Sequence, residues 1–235
     1  MGKQAVILSG GLGTRLKPFT NVIPKPLLPV GEKAVMELQI ERLAKYGFNQ
    51  IYLATNYKTE YIEKFFGDGS RYGVELIISK EEEPLGTAGP MSLLRDALKA
   101  PFLVINGDIL SLVDFGKMYD TACGNESLFT VGVKKIIMPY AFGNILFNGD
   151  YVTQIQEKPD IVTYALAGIY IMKPGILDLI PPNTYYGIDQ LIRTMLAKKL
   201  TVMKYDINEY WLDIGRPEDF EKAQIDFQSY ADDEK

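Results

Sequence analysis

Chemistry in this chain has to run without histidine, because none of its 235 residues is one. That removes the Ser-His-Asp arrangements, the histidine-ligated zinc sites and the commonest general base near neutral pH. Carboxylates, lysine, arginine, backbone N–H groups and a hard metal ion are left. The stretch LSGGLGTRLKP carries Gly11 and Gly13 out of an apolar run, with Arg15 two residues further on. The N–H groups of such a turn can face an anion. Lys25, inside PKP where two prolines restrict the backbone, supplies a second cation. Arg15 and Lys25 can converge on one polyphosphate; the alternative is a tight turn carrying two solvated cations.

Two familiar loops do not fit. A dinucleotide fingerprint needs G-x-G-x-x-G and an acid near the end of the next strand, but the third glycine position is Leu16 and that strand ends in Thr55-Asn56. The ATPase string G-x-x-x-x-G-K-[ST] does not occur.

Asp108 ends the apolar run FLVINGD, and Gly107 before it would let a ligand come close. A carboxylate at the ligand-binding side of a parallel sheet suits Mg2+, which takes oxygen ligands and bridges to substrate phosphates; a helix-capping aspartate is the alternative. Asp213, in EYWLDIGRPEDF, is weak alone, but the two acids together could share one ion. EEEPLGTAGP, from Glu81 to Pro90, reads as a stiff loop able to lie along a flat ring, or simply as a charged loop and cap. In QEKP, Glu157 could accept hydroxyl hydrogen bonds and Lys158 could bind a phosphate, although an adjacent Glu-Lys pair is also ordinary surface.

The elements that must position these groups alternate strand with helix. QAVILS, QIYLAT, VELIIS and FLVINGD read as strands. AVMELQIERLAKYG reads as a helix stopped by Gly47, KTEYIEKFFG as one with Thr59 as N-cap and Gly67 as stop, and AGPMSLLRDALK as a third with proline near its start. This spacing predicts an α/β fold with a parallel sheet and helices on both faces. The second half is more mixed. ESLFTVGVKK, GNILFNGDYVTQIQEKP and ALAGIYIMKP are strand-like, FNGD has hairpin-turn composition, and IDQLIRTMLAKK, LTVMKYDI and PEDFEKAQIDFQSY give a helix, a strand and a closing helix begun by Pro217. One domain over residues 1–228 and a frayed tail over 229–235 are expected.

Composition narrows the setting. A charge of −5 argues against a general nucleic-acid binder, and no apolar run reaches the roughly 18 residues of a membrane span. A single cysteine, Cys123, excludes a disulfide framework and points to a reducing, cytoplasmic location. The start of the chain shows no leader-like apolar core.

Taken in order, LSGGLGTRLKPFT, PKPLLPV, EEEPLGTAGP, INGD, QEKP, AGIYIMKP and YWLDIGRPEDF make almost the whole chain resemble the sugar-1-phosphate nucleotidylyltransferases. The resemblance implies a Rossmann-like mixed, mainly parallel sheet with a smaller sugar-binding lobe. It also implies a reaction of NTP with sugar 1-phosphate that yields NDP-sugar and pyrophosphate for surface-glycan biosynthesis. By the family's pattern Leu8, Gly10, Gly11, Gly13, Thr14, Glu81, Pro84, Gly86 and Thr87 would bind the nucleotide. Arg15, Lys25 and Asp108 would be catalytic, and Asp108 with Asp213 would hold Mg2+. Gly143, Glu157, Lys158 and Gly168 would bind the sugar phosphate.

The form of EEEPLGTAGP most resembles guanylyltransferases, with Glu81 an acceptor for guanine N1–H and the exocyclic amine. Mannose-specific relatives usually carry asparagine where this chain has Leu166, and Pro-Tyr where it has Ala141-Phe142, so a heptose or modified hexose stands beside mannose. The alternatives are a uridylyl-, cytidylyl- or thymidylyltransferase, a silent NDP-sugar-binding regulator and, weakest, a dehydrogenase. Beside the resemblance a stand-alone catalytic domain is expected, composition predicts no nucleic-acid or membrane partner, and a homo-oligomer is left open.

Overall fold

The computed structural model describes residues 2–233. β1 (Lys3–Leu8) leads through the glycine turn to a short α1 (Phe19–Val22) and a small hairpin of β2 (Pro29–Val30) and β3 (Lys33–Ala34). Then come α2 (Val35–Lys45), β4 (Phe48–Thr55), α3 (Thr59–Phe66), β5 (Glu75–Lys80), β6 (Phe102–Asn106), β7 (Ile109–Ser111) and α4 (Phe115–Cys123). The second half contains β8 (Phe129–Pro139), β9 (Asn144–Asn148), β10 (Tyr151–Gln156), β11 (Asp160–Met172), α5 (Ile188–Ala197), β12 (Val202–Asp206), β13 (Trp211–Asp213) and α6 (Pro217–Asp233).

Seven strands form one sheet in the order β12-β8-β11-β6-β1-β4-β5. All neighbours run parallel except β11, which is antiparallel to both β6 and β8. The expected mixed, mainly parallel sheet is therefore present. Period-two alternation divides its core. Leu103 and Ile105 of β6 join the apolar residues of α2, α3 and α4 on one face, while Phe102 and Val104 join those of α5 and the 91–98 segment on the other.

β8 and β11 are longer than the sheet. Their inner parts are buried in it, and residues 134–139 and 160–166 continue as an exposed antiparallel ribbon. Beyond the ribbon β9 and β10 form a separate two-stranded sheet. Because β11 runs opposite to β6, this lobe rises past the carboxyl ends of the parallel strands, the end where α/β sheets bind ligands.

Two local expectations need correction. AGPMSLLRDALK is a 3-10 segment, Gly89–Leu94, followed by a turn, not an α-helix. The N–H groups of Ala88 and Gly89 both donate to Tyr186 O, at 2.8 and 2.9 Å, so the chain is pinned sideways before a helix can wind. Thr59 is the first residue of α3 rather than its N-cap; Lys58 holds the cap position in a left-handed conformation, φ 52°, and the Thr59 hydroxyl lies 3.1 Å from that of Thr55. α6 extends through Asp233, overlapping the expected tail, and residues 234–235 lie outside the described residues. Among the described residues no helix is long and apolar enough to cross a membrane.

Candidate active site

A cleft of about 370 Å³ opens at the carboxyl ends of β1 and β6. Its floor begins at Leu8 and Ser9, where β1 stops and Ser9 Oγ donates to Ala54 O at 2.8 Å. Gly13 then takes a left-handed conformation, φ 60°, and its carbonyl accepts from Leu16 N at 2.9 Å and Thr20 Oγ1 at 2.8 Å. A Cβ on Gly13 would lie 2.7 Å from Thr20 Cγ2, so only glycine fits. Leu16, which spoiled the dinucleotide fingerprint, is fully buried and anchors the turn from below. At Gly11, by contrast, a Cβ would meet nothing within 4 Å, so the face of the turn is open.

The charged groups lie on one side of this turn. Lys25 Nζ donates to Asp108 Oδ2 in a close ion pair, with both side chains largely buried. β7 pairs with β13, placing Asp213 opposite Ile109, and Ile214 N donates to Asp108 O at 2.9 Å. The two aspartates thus come from opposite halves of the chain to one spot. Asp213 also lies beside Arg15. A Cβ on the cleft-lining Gly215 would be 2.8 Å from Asp213 Oδ1 and 3.1 Å from Arg15 Nη2. Burial and the negative charge of Asp108 push the Asp213 carboxyl above the usual aspartate range, against the pull of Lys25 and Arg15. Asp108 Oδ1 and Asp213 Oδ1 are buried without a hydrogen-bond partner. Buried acceptors are normally paired, so two orphans at one place call for a donor or cation. Among the described residues no group of three or more acids and thiols could hold a metal, leaving this aspartate pair as the candidate position.

Gly107 is needed for a reason other than ligand approach. Its N–H donates to Leu8 O at 2.8 Å, and a Cβ would sit 2.8 Å from the same oxygen. Gln39, buried on α2, holds the turn from the other side, its Nε2 donating to Asn106 O at 2.9 Å and Ile109 O at 2.7 Å.

The opposite wall is the segment from Glu81 to Thr87. Glu81 is buried rather than facing solvent. Its Oε2 accepts from Leu85 N at 2.9 Å, and its Oε1 lies 3.0 Å from where a Gly10 Cβ would be. Burial raises its pKa, opposed by the Leu85 N–H. Gly86, at φ 80°, packs against the backbone of Tyr186, and Thr87 Oγ1 accepts from Ile188 N at 2.9 Å, capping α5. Tyr185 closes that side.

Leu8, Gly10, Gly11, Gly13, Thr14, Arg15, Lys25, Glu81, Pro84, Gly86, Thr87 and Asp108 all line this one cleft. Gly168 reaches it through a neighbour: at φ 68°, it sits in the bulge of β11 with its missing Cβ 2.7 Å from Asn106 Nδ2, and Asn106 lines the cleft. Trp211 Nε1 donates to Ala167 O at 2.8 Å and ties the bulge to β13. Gly143, Glu157 and Lys158 do not line the cleft; they lie exposed on the lobe. A Cβ on Gly143 would lie 3.5 Å from Glu157 Oε2, so those two form a second group. Sequence reasoning missed Gln39, Asn106, Tyr185 and Gly215. Gln39 left one faint signal, an amide set between Leu38 and Ile40 of an apolar helix.

The nucleotidyl transferase family model matches residues 4–229. The mannose-1-phosphate guanylyltransferase catalytic subunit beta of Drosophila melanogaster is 36% identical over 226 residues, covering 93% of this chain and 61% of the relative. The mannose-1-phosphate guanyltransferase of Saccharomyces cerevisiae is 34% identical over 226 residues, covering 92% and 62%. The chain therefore spans a little over three fifths of the length of these relatives. Among solved structures, HddC from Yersinia pseudotuberculosis complexed with GMP-PN superposes with a TM-score of 0.74 at 27% identity, over 96% of this chain and 99% of that one. A UDP-glucose pyrophosphorylase complexed with UDP-glucose shares the fold, with a TM-score of 0.75 at 19% identity over 97% and 99%.

Proposed function

The chain belongs to the nucleotidyl transferase family, and from that premise we propose that it joins GTP to a sugar 1-phosphate, releasing pyrophosphate and forming a GDP-sugar for glycan biosynthesis. The observation that carries this reading is the Lys25–Asp108 pair with the orphaned oxygens of Asp108 and Asp213, set beside an open glycine turn.

An oxygen of the sugar phosphate attacks the α-phosphorus of GTP. The new P–O bond forms as the α–β bridging P–O bond breaks, and pyrophosphate leaves with the electron pair. The nucleophile is already anionic, so no general base is required, in keeping with a chain that lacks histidine. What the protein contributes is alignment and charge stabilisation. The N–H groups of the turn at Gly11 and Gly13, together with Arg15, hold the triphosphate. Lys25 exchanges Asp108 for the α-phosphate as charge builds there. Asp108 and Asp213 would hold a divalent ion, Mg2+ in this reading, and that ion would supply neutralisation of phosphate charge.

Glu81 offers a buried carboxylate oxygen at the base end of the cleft, which suits the paired N–H donors of guanine and no donor pair of uracil or thymine. Relatives named as mannose-1-phosphate guanylyltransferases support the base and the reaction class. The sugar is a mannose-like hexose or a heptose, gripped by Lys158 and Glu157 on the lobe beside Gly143, with Gly168 next to the cleft-lining Asn106. The test is pyrophosphate release from four NTPs against a panel of sugar 1-phosphates. GTP with a mannose-like or heptose 1-phosphate is expected to give the highest kcat/KM. Release with another NTP would overturn the base, and release with no pair would overturn the reaction.

A further inference from the structure

Tyr185 and Tyr186 are neighbours in sequence with opposite surroundings. Tyr186 is half-buried, packs beside the apolar residues of α5 and shares a hydrogen bond with that helix, its hydroxyl 2.5 Å from Thr194 Oγ1. Tyr185 is 65% exposed and lines the cleft. Among the described residues its hydroxyl has no hydrogen-bond partner and its ring no aromatic neighbour. A ring so placed adds little to the core and offers a flat apolar face to whatever the cleft holds.

The backbone beneath that ring is fixed. Tyr186 N donates to Leu85 O at 2.9 Å, Ala88 N and Gly89 N donate to Tyr186 O, and Ile188 N donates to Thr87 Oγ1. These four bonds fasten the 184–188 segment to the loop that follows Glu81. The fit is close: a Cβ on Gly86 would lie 3.4 Å from Tyr185 Cε2, and one on Gly89 would lie 2.7 Å from Thr184 O. The ring of Tyr185 therefore stands on the same braced wall as Glu81 and Pro84.

We propose that Tyr185 is the stacking platform of the cleft, covering one face of the nucleobase whose edge Glu81 reads. This role, which rests on the nucleotide reading above, is separate from base choice. A carboxylate in the plane of a base selects among donor patterns but leaves the faces of the ring wet. An aromatic side chain covers a face, and because every base has a π-face the stack adds affinity without selecting. Glu81 then sets which base is held, and Tyr185 sets how tightly.

Calorimetry of GTP and ATP binding in Mg2+, without sugar phosphate, tests this. Tyr185→Ala is expected to raise Kd about tenfold for both nucleotides, within the range of a lost base–aromatic stack, and to leave their ratio unchanged. Tyr185→Phe should match the unmodified protein, because the ring face and not the hydroxyl makes the contact. In turnover, Tyr185→Ala should raise KM for GTP and spare kcat, as lost uniform binding does. Tyr186→Phe is the control, with a lower Tm and an unchanged Kd. Tyr185→Trp should still bind GTP, and its added emission should be quenched on binding; Trp211, the only tryptophan of the unmodified chain, gives the background.

An unchanged Kd in Tyr185→Ala, an altered GTP-to-ATP ratio, or an equal loss in Tyr185→Phe overturns the stack and leaves the proposed reaction standing. An unmodified chain that binds no nucleotide overturns the reaction, and the stack with it. Should Tyr185→Ala misfold, unquenched emission from Tyr185→Trp at saturating GTP overturns the stack by itself.

Discussion

Lys25 Nζ lies against Asp108 Oδ2, so the free protein neutralises within itself the two groups that the proposed reaction sets to separate work. Lys25→Ala removes a cation from the transition state and leaves a largely buried carboxylate unpaired. We expect kcat to fall about 10²–10³-fold, in the range of a lost oxyanion donor, with KM for GTP changing much less. Divalent-ion binding without nucleotide, followed by calorimetry, should tighten, because the ion no longer competes with an ammonium. An effect confined to KM would reduce Lys25 to a binding residue.

Asp108→Asn and Asp213→Asn each keep the shape of the site and remove one carboxylate. Both should lose divalent-ion binding and most turnover. Full turnover of Asp108→Asn at saturating metal would show that the ion, if present, is held elsewhere.

Glu81 links base choice to pH. Its folded pKa is raised above the ordinary 4.5, so the carboxylate takes up a proton at a higher pH than an exposed glutamate does. GTP binding should weaken as pH falls through that raised value, while binding of UTP stays flat. For stability the sign is opposite. The contribution of Glu81 is fully present below about the ordinary value and is lost as pH rises through the raised one. Glu81→Gln should therefore melt at or above the unmodified protein at neutral pH while its preference for GTP collapses.

Gln39→Leu keeps side-chain volume but strips two donors from the turn that carries Asp108. Leaving buried carbonyls unpaired costs about 1–3 kcal/mol. The expected result is a lower Tm together with weaker divalent-ion binding. A loss of Tm alone would make Gln39 structural only.

Gly168→Ala combines an unfavourable φ with a Cβ 2.7 Å from Asn106 Nδ2. Strain of this kind costs about 1–3 kcal/mol, and each kcal/mol lowers Tm by about 2–4 °C in a domain of this size. A thermal melt checks it.

The glycine-turn side of the cleft was legible because strand ends and glycine turns are local. β1 stops at Leu8, the turn follows at once, and the loop from Glu81 leaves the end of β5 in the same direction. Asp213 read weakly from its own residues and gained its role from the resemblance, because its position depends on β13 pairing with β7 across the chain. Gln39, Asn106 and Gly215 gave little or no signal, since each acts through a tertiary contact with a segment far away in sequence. The helix expected over AGPMSLLRDALK failed for a similar reason. Its residues have helical spacing, but hydrogen bonds to Tyr186 claim its first turn. The lobe's strands were visible, while the bulge between Val152 and Gln154 was not.

The indole of Trp211 bonded to Ala167 O has a further use. It is the chain's single tryptophan, and it rides on β13, the strand that brings the second aspartate. β13 is not one of the seven strands of the main sheet, so that sheet's pairing is complete without the strand that carries the second aspartate. Intrinsic fluorescence therefore reports the docking of β13 separately from the pairing of the main sheet. Recovered turnover should follow the emission of Trp211, lagging behind the far-UV signal.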